Sequence, residues 1–92
     1  MSTLDQIATK IIKEQELIIG PVAWQEAGRV TGMQINRAAG SVSIQNGNPI
    51  VVDQLIERYE HLFGRASREA SKEAVVSLVA ELSPTEIPSS LK

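Results

Sequence analysis

The chain has 92 residues, 42% of them hydrophobic, and its only aromatic side chains are Trp24, Tyr59 and Phe63. That length supports one domain with a thin core, built here from Ile, Val, Leu and Ala. Nine basic against eleven acidic residues leave a formal charge of −2, and there is no cysteine. The charge argues against a protein that holds nucleic acid mainly through phosphates, and the lack of thiols excludes disulfides, thiolate catalysis, zinc–thiolate sites and iron–sulfur clusters.

From Thr3 the apolar residues Leu4, Ile7, Ile11, Ile12, Ile18 and Ile19 recur at helical spacing, with Asp5, Lys10, Lys13, Glu14 and Glu16 between them. This pattern predicts a first helix over Thr3–Ile19 with a charged outer face and Asp5 complementing the helix dipole. Gly20-Pro21 interrupts it. Proline disfavours helical geometry at the preceding residue yet suits the first position of a new helix. With Val22, Ala23, Trp24, Ala27 and Val30 continuing the stripe, the expectation is a kink or short re-start that ends at Val30-Thr31-Gly32.

Residues 33–45 change period. Met33 and Ile35, then Val42 and Ile44, alternate with polar residues around a turn at Arg37–Gly40, which predicts a small β-hairpin with one face inward. An isolated hairpin is marginal in water, so this one must lie on the helices or pair with another chain. In Asn46-Gly47-Asn48-Pro49 the turn wants positive φ, and Asn48 and Pro49 suit the N-cap and first position of the next helix. Its structural role is complete without a functional one.

A second long helix is predicted over Pro49–Phe63, with Val52, Leu55, Ile56, Tyr59, Leu62 and Phe63 on its apolar side and Gly64 as its stop. A further helix is expected over Ala66–Leu82, ended by Ser83-Pro84. The whole is an α+β fold: a kinked N-terminal helix, a small β-hairpin and two C-terminal antiparallel helices. Residues 1–83 form one compact domain. Residues 84–92, with Pro88 and two serines, lack periodicity and are expected to fray.

Catalysis needs convergent polar groups, and the sequence offers none. His61 is the only histidine and falls on the polar side of its helix, where it is read as solvent-facing rather than as a ligand. The glycines form neither dinucleotide nor P-loop spacing, and the pairs Glu14/Glu16 and Glu57/Glu60 read as a solvated face rather than as acid–base partners. No enzymatic activity, cofactor or metal is expected. No apolar run is long enough to span a membrane, and without cysteines or a leader-like segment the expected address is the cytoplasm.

Two features bear on function. Trp24 is either a packing centre of the thin core, which is the favoured reading, or an interface anchor. The stretch FGRASREASKEAV, Phe63–Val75, carries Arg65, Arg68 and Lys72. At ~100° per residue these three cations fall within roughly 60°, beside Glu69 and Glu73, and Glu69 can pair with Arg65. The charged face is therefore nearly neutral. Opposite it, Ala66, Ala70 and Ala74 line up at spacing four, flanked by Ser67 and Ser71. Small residues let helix axes approach closely. The favoured partner for this face is the Pro49–Phe63 helix, folded back over Gly64 so that Tyr59 and Phe63 fill the space. The alternative is a second subunit.

The stretch IIGPVA, Ile18–Ala23, resembles the IGP-A helical segment of small C-terminal modules appended to bacterial signalling proteins and kinases. The resemblance implies an interaction or effector-coupling module rather than a catalyst, and it carries over no site residues beyond the motif. Together these readings predict a non-enzymatic protein–protein interaction or regulatory module that forms a homodimer, with Trp24, Ala66, Ala70 and Ala74 as candidate interaction surface. The alternative is a small nucleic-acid-binding protein using Arg58, Arg65, Arg68 and Lys72.

Overall fold

A computed structural model describes residues 2–92. Its elements are helices α1 (Thr3–Ile19) and α2 (Val22–Ala27), strands β1 (Met33–Asn36) and β2 (Ser41–Ile44), and helices α3 (Pro49–Phe63) and α4 (Arg65–Val79). A single 3-10 turn follows β2 at Gln45–Gly47, and another closes the chain at Ser89–Leu91. The fold is α+β, as the periodicities predict.

α1 is the central element, packing against α4, β2, α2 and α3. Its start is fixed locally. The Ser2 hydroxyl accepts from the Asp5 amide at 3.1 Å while the Asp5 carboxylate accepts from the Ser2 amide at 3.2 Å. This reciprocal cap satisfies two donors that a helix end leaves open. Gly20 ends α1 with φ of +79°, a conformation that favours glycine, and its amide reaches the Glu16 carbonyl. Pro21 then starts the short α2, so the interruption is a re-start. α2 stops at Ala27 rather than at Val30, because the amides of Arg29 and Val30 take carbonyls only three residues back, tightening the end into a turn.

The hairpin pairs Met33 with Ile44 and Ile35 with Val42. Asn36 Oδ1 accepts from the Ala39 amide and folds the connecting turn. Of the two covers the hairpin could have, the structure uses its own helix. The Val42 amide donates to Thr9 Oγ1 at 3.1 Å and the Ile44 amide to Asp5 Oδ1 at 2.7 Å. Side chains of α1 thus take the place of a third strand along the outer edge of β2, and Val42 and Ile44 are buried beneath them.

Asn46 and Gly47 both take φ of +59°, and Asn48 Oδ1 caps α3 by accepting from the Ile50 amide at 3.0 Å. Ile7, Ile11, Ile12, Val52, Leu55, Ile56, Tyr59 and Val75 are fully enclosed where α1, α3 and α4 meet. Each aliphatic side chain among them contributes about 1.5–3 kcal/mol relative to exposure, so these few positions carry the fold. Gly64 alone joins α3 to α4. The last three residues of the expected helix, 80–82, tighten into bonds three residues back, which is why α4 closes at Val79.

The C-terminal segment departs from the expected fraying. Pro88, Ser90 and Leu91 are buried and Ile87 packs against the core. Asp53 of α3 accepts from the amides of Ser89 (3.1 Å) and Ser90 (2.8 Å) and from the Ser90 hydroxyl. Periodicity cannot register such a segment, since it is held by one carboxylate and one leucine rather than by a stripe.

Candidate interaction surface

α4 carries most of the residues singled out in the sequence, and its orientation differs from the expected one. The face turned inward is Ser67, Ser71 and Val75; Ala70 and Ala74 sit half-buried at its margin, and Ala66 is exposed. The cause is Gln15 of α1, which is fully enclosed. Its Nε2 donates to the Ser67 carbonyl and to Ser71 Oγ, both at 3.0 Å, and its Oε1 accepts from Ser67 Oγ at 2.9 Å. Buried serines need partners, and here one amide supplies all of them. α4 therefore lies along α1 as well as α3, instead of presenting an alanine seam to α3 alone.

Trp24 is 6% exposed and belongs to the core, so it is a packing centre and not an anchor open to a partner. It stands beside Ala23, whose carbonyl accepts from Tyr59 Oη at 2.6 Å and ties α2 to α3. Burial pushes the Tyr59 hydroxyl well above its ordinary range, and the Glu26 carboxylate adds to the shift.

The four candidate phosphate contacts divide. Arg58 places Nε and Nη2 on Glu26 Oε1 at 2.9 and 2.7 Å. Arg68 meets Glu60 of α3 at 3.0 Å. Arg65 and Lys72 enter no ion pair among the described residues, and the expected Arg65–Glu69 pair is replaced by the one between Arg68 and Glu60. The structure thus leaves two of the four cations open and holds the other two in contacts between helices.

The remaining polar clusters are likewise engaged. Asp5 and Thr9 hold β2, Asp53 holds the chain end, and Ser83 donates to Glu86 through both its amide and its hydroxyl. Those bonds keep the Glu86 carboxyl below the usual range. His61 is exposed, and no group of three or more acidic, cysteine or histidine residues could hold a metal among the described residues. No helix of the described residues is long and apolar enough to cross a membrane. The largest concavity, about 490 Å³, is an open groove lined by Lys10, Lys13, Glu14, Leu17, Ser77 and Leu78, with no convergent polar constellation.

What does stand out is apolar and exposed. Leu17 is 82% exposed, Ile18 58%, Leu62 45% and Phe63 40%. The Gln15–Ser67 contact sets the last turn of α1 beside the first turn of α4, and Gly64 brings the end of α3 to the same place. The four side chains therefore share one end of the molecule, with Ala66 exposed there too. Ile18, Leu62 and Phe63 had been expected in the buried stripes, whereas the helices outrun the core by a turn. Leu17 was missed: it lies off the apolar stripe, and a leucine on the charged side of a helix was the available signal. Comparison of the chain with protein-family models, with curated proteins and with solved structures finds no match.

Proposed function

We propose that this chain is a non-enzymatic protein–protein interaction module that associates with itself through the end where α1, α3 and α4 meet. The observation that carries the reading is the gathering of Leu17, Ile18, Leu62 and Phe63 there, exposed, in a small chain whose core is otherwise closed. Single exposed leucines are ordinary on soluble proteins; several large apolar side chains at one site mark an interaction surface. The surrounding charges suit a second copy. Glu14 and Glu16 belong to α1, while His61 and Arg65 flank the α3–α4 junction. A two-fold arrangement sets the acidic residues of each protomer against the basic ones of the other, as a self-complementary patch requires.

The resemblance of Ile18–Ala23 to interaction modules points the same way. A nucleic-acid contact through Arg58, Arg65, Arg68 and Lys72 has less support, because Arg58 and Arg68 are held by carboxylates.

Sedimentation over a dilution series tests the proposal. The chain is expected to move as a dimer at micromolar concentration, and Leu17→Glu, at a site too exposed to disturb folding, is expected to weaken that dimer by at least about tenfold, equivalent to ~1.4 kcal/mol. A species of 10.0 kDa throughout would overturn it.

A further inference from the structure

The C-terminal segment shows, within one molecule, how a short peptide is bound. The turn Ser89–Leu91 puts two consecutive amides and a hydroxyl on the single carboxylate of Asp53, and it buries Pro88 and Leu91 alongside. Nothing in this clip depends on the strap belonging to the same chain. The same contacts form if the strap comes from a second copy.

We infer that the Asp53 clip on α3 is a docking site for the Pro88–Leu91 strap of a second copy, exchanged reciprocally between two protomers. The inference rests on the reading that the chain associates with itself, and it concerns a separate surface. Three observations carry it. The first is the identity of the contacts: the occupant is seen seated on the site, and a copy brings the same occupant. The second is reach. Residues 80–87, between α4 and the strap, contain neither helix nor strand. Nine residues from Val79 to Pro88 extend to roughly 30 Å, which compares with a longest molecular dimension of 32 Å. The strap can therefore cross to a neighbour.

The third is the hinge. Pro84 and Pro88 disfavour compact geometry at Ser83 and Ile87, the residues before them. The hinge is folded back by Ser83, whose amide and hydroxyl both donate to the Glu86 carboxylate, and these bonds are exposed to water. A proline-bearing hinge closed by exposed hydrogen bonds favours extension, and exchanging an identical element is a low-cost route to a dimer.

The chain has no cysteine, so engineered thiols report cleanly. Full-length Asp53→Cys/Ser90→Cys, oxidised at high dilution, is expected to form the disulfide within one chain, which establishes that the pair can bond. Full-length Asp53→Cys and Ser90→Cys chains are then mixed at high micromolar concentration and oxidised, beside a control mixture of Asp53→Cys with Ser43→Cys. Exchange predicts several-fold more disulfide heterodimer in the first mixture than in the control, detected by non-reducing electrophoresis and intact mass. Sedimentation of the parent chain is run in parallel. A dimer by sedimentation with heterodimer no greater than the control overturns strap exchange and leaves self-association standing. A monomer at every concentration, with no excess heterodimer, overturns both.

Discussion

Gln15 and Ser67, 52 positions apart in sequence, grip each other by both ends: the glutamine amide nitrogen holds the serine carbonyl while its oxygen receives the serine hydroxyl. With Ser71 on the same nitrogen, a buried polar knot fixes the rotation of α4 about its own axis. Gln15→Ala strands the two serine hydroxyls and a carbonyl in the core and opens a cavity, at a cost of about 3 kcal/mol. The triple change Gln15→Leu/Ser67→Ala/Ser71→Ala removes all the partners together and is expected to stay within about 1 kcal/mol of the parent. Urea denaturation of the two variants decides it. If both lose the same stability, packing and not the hydrogen-bonded knot holds α4.

Tyr59 supplies a pH dependence. Its hydroxyl ionises near 10 in the unfolded chain, and burial raises that value in the folded one. Above pH 10 the unfolded state therefore sheds a proton that the folded state keeps, and stability falls as pH rises. Below pH 10 the residue contributes no slope. Tyr59→Phe is expected to cost about 1–2 kcal/mol at neutral pH, through the orphaned Ala23 carbonyl, and to flatten the alkaline limb. Denaturation midpoints between pH 8 and 11 check both parts, and an unchanged limb in the variant would assign it to other groups.

Two glycines with positive φ are expected to respond differently to alanine. At Gly32, φ is +93° and an added Cβ would come within 2.9 Å of Val51 Cγ2, on the first turn of α3. At Gly47, φ is +59° and the added carbon meets open space. Gly32→Ala is expected to cost about 2–4 kcal/mol, strain and overpacking combined, and Gly47→Ala about 1 kcal/mol from strain alone. Thermal melting of the pair measures the difference, and equal costs would mean that Val51 yields without penalty.

The charge arrangement makes a further expectation. With Arg58 and Arg68 paired and a net charge of −2, the chain is expected not to retard duplex or single-stranded nucleic acid even at low salt. Retardation that weakens steeply with added salt would restore the phosphate-binding reading, and Arg65→Ala/Lys72→Ala would then test which cations carry it.

Elements bounded by local chemistry were legible in the sequence. Asn48-Pro49 starts α3, Gly64 stops it, Gly20-Pro21 breaks the N-terminal helix, and the alternation of Met33, Ile35, Val42 and Ile44 marks the hairpin. Each is written within a few residues. The rotation of α4 was not legible, since an alanine row reads as more apolar than a serine row until Gln15, far upstream, supplies the partners that let serines go inside. The docked strap was hidden for the same reason: Asp53 looks like one more charge on a solvent face, and only the fold brings Ser90 to it. For the candidate surface, Leu62 and Phe63 continue the periodic stripe of α3. Periodicity says which side of a helix is apolar but not where the neighbouring element ends.

The side chains that stand in for a third strand tie two kinds of measurement together. The Val42 and Ile44 amides belong to a strand, yet their acceptors, Thr9 Oγ1 and Asp5 Oδ1, belong to a helix. Their exchange with deuterium therefore follows the lifting of α1 from the sheet rather than the parting of β1 from β2. Ser43, whose place in the ladder is opposite Gln34, reports on the hairpin itself. Alternate residues of one four-residue strand thus keep time for two different motions.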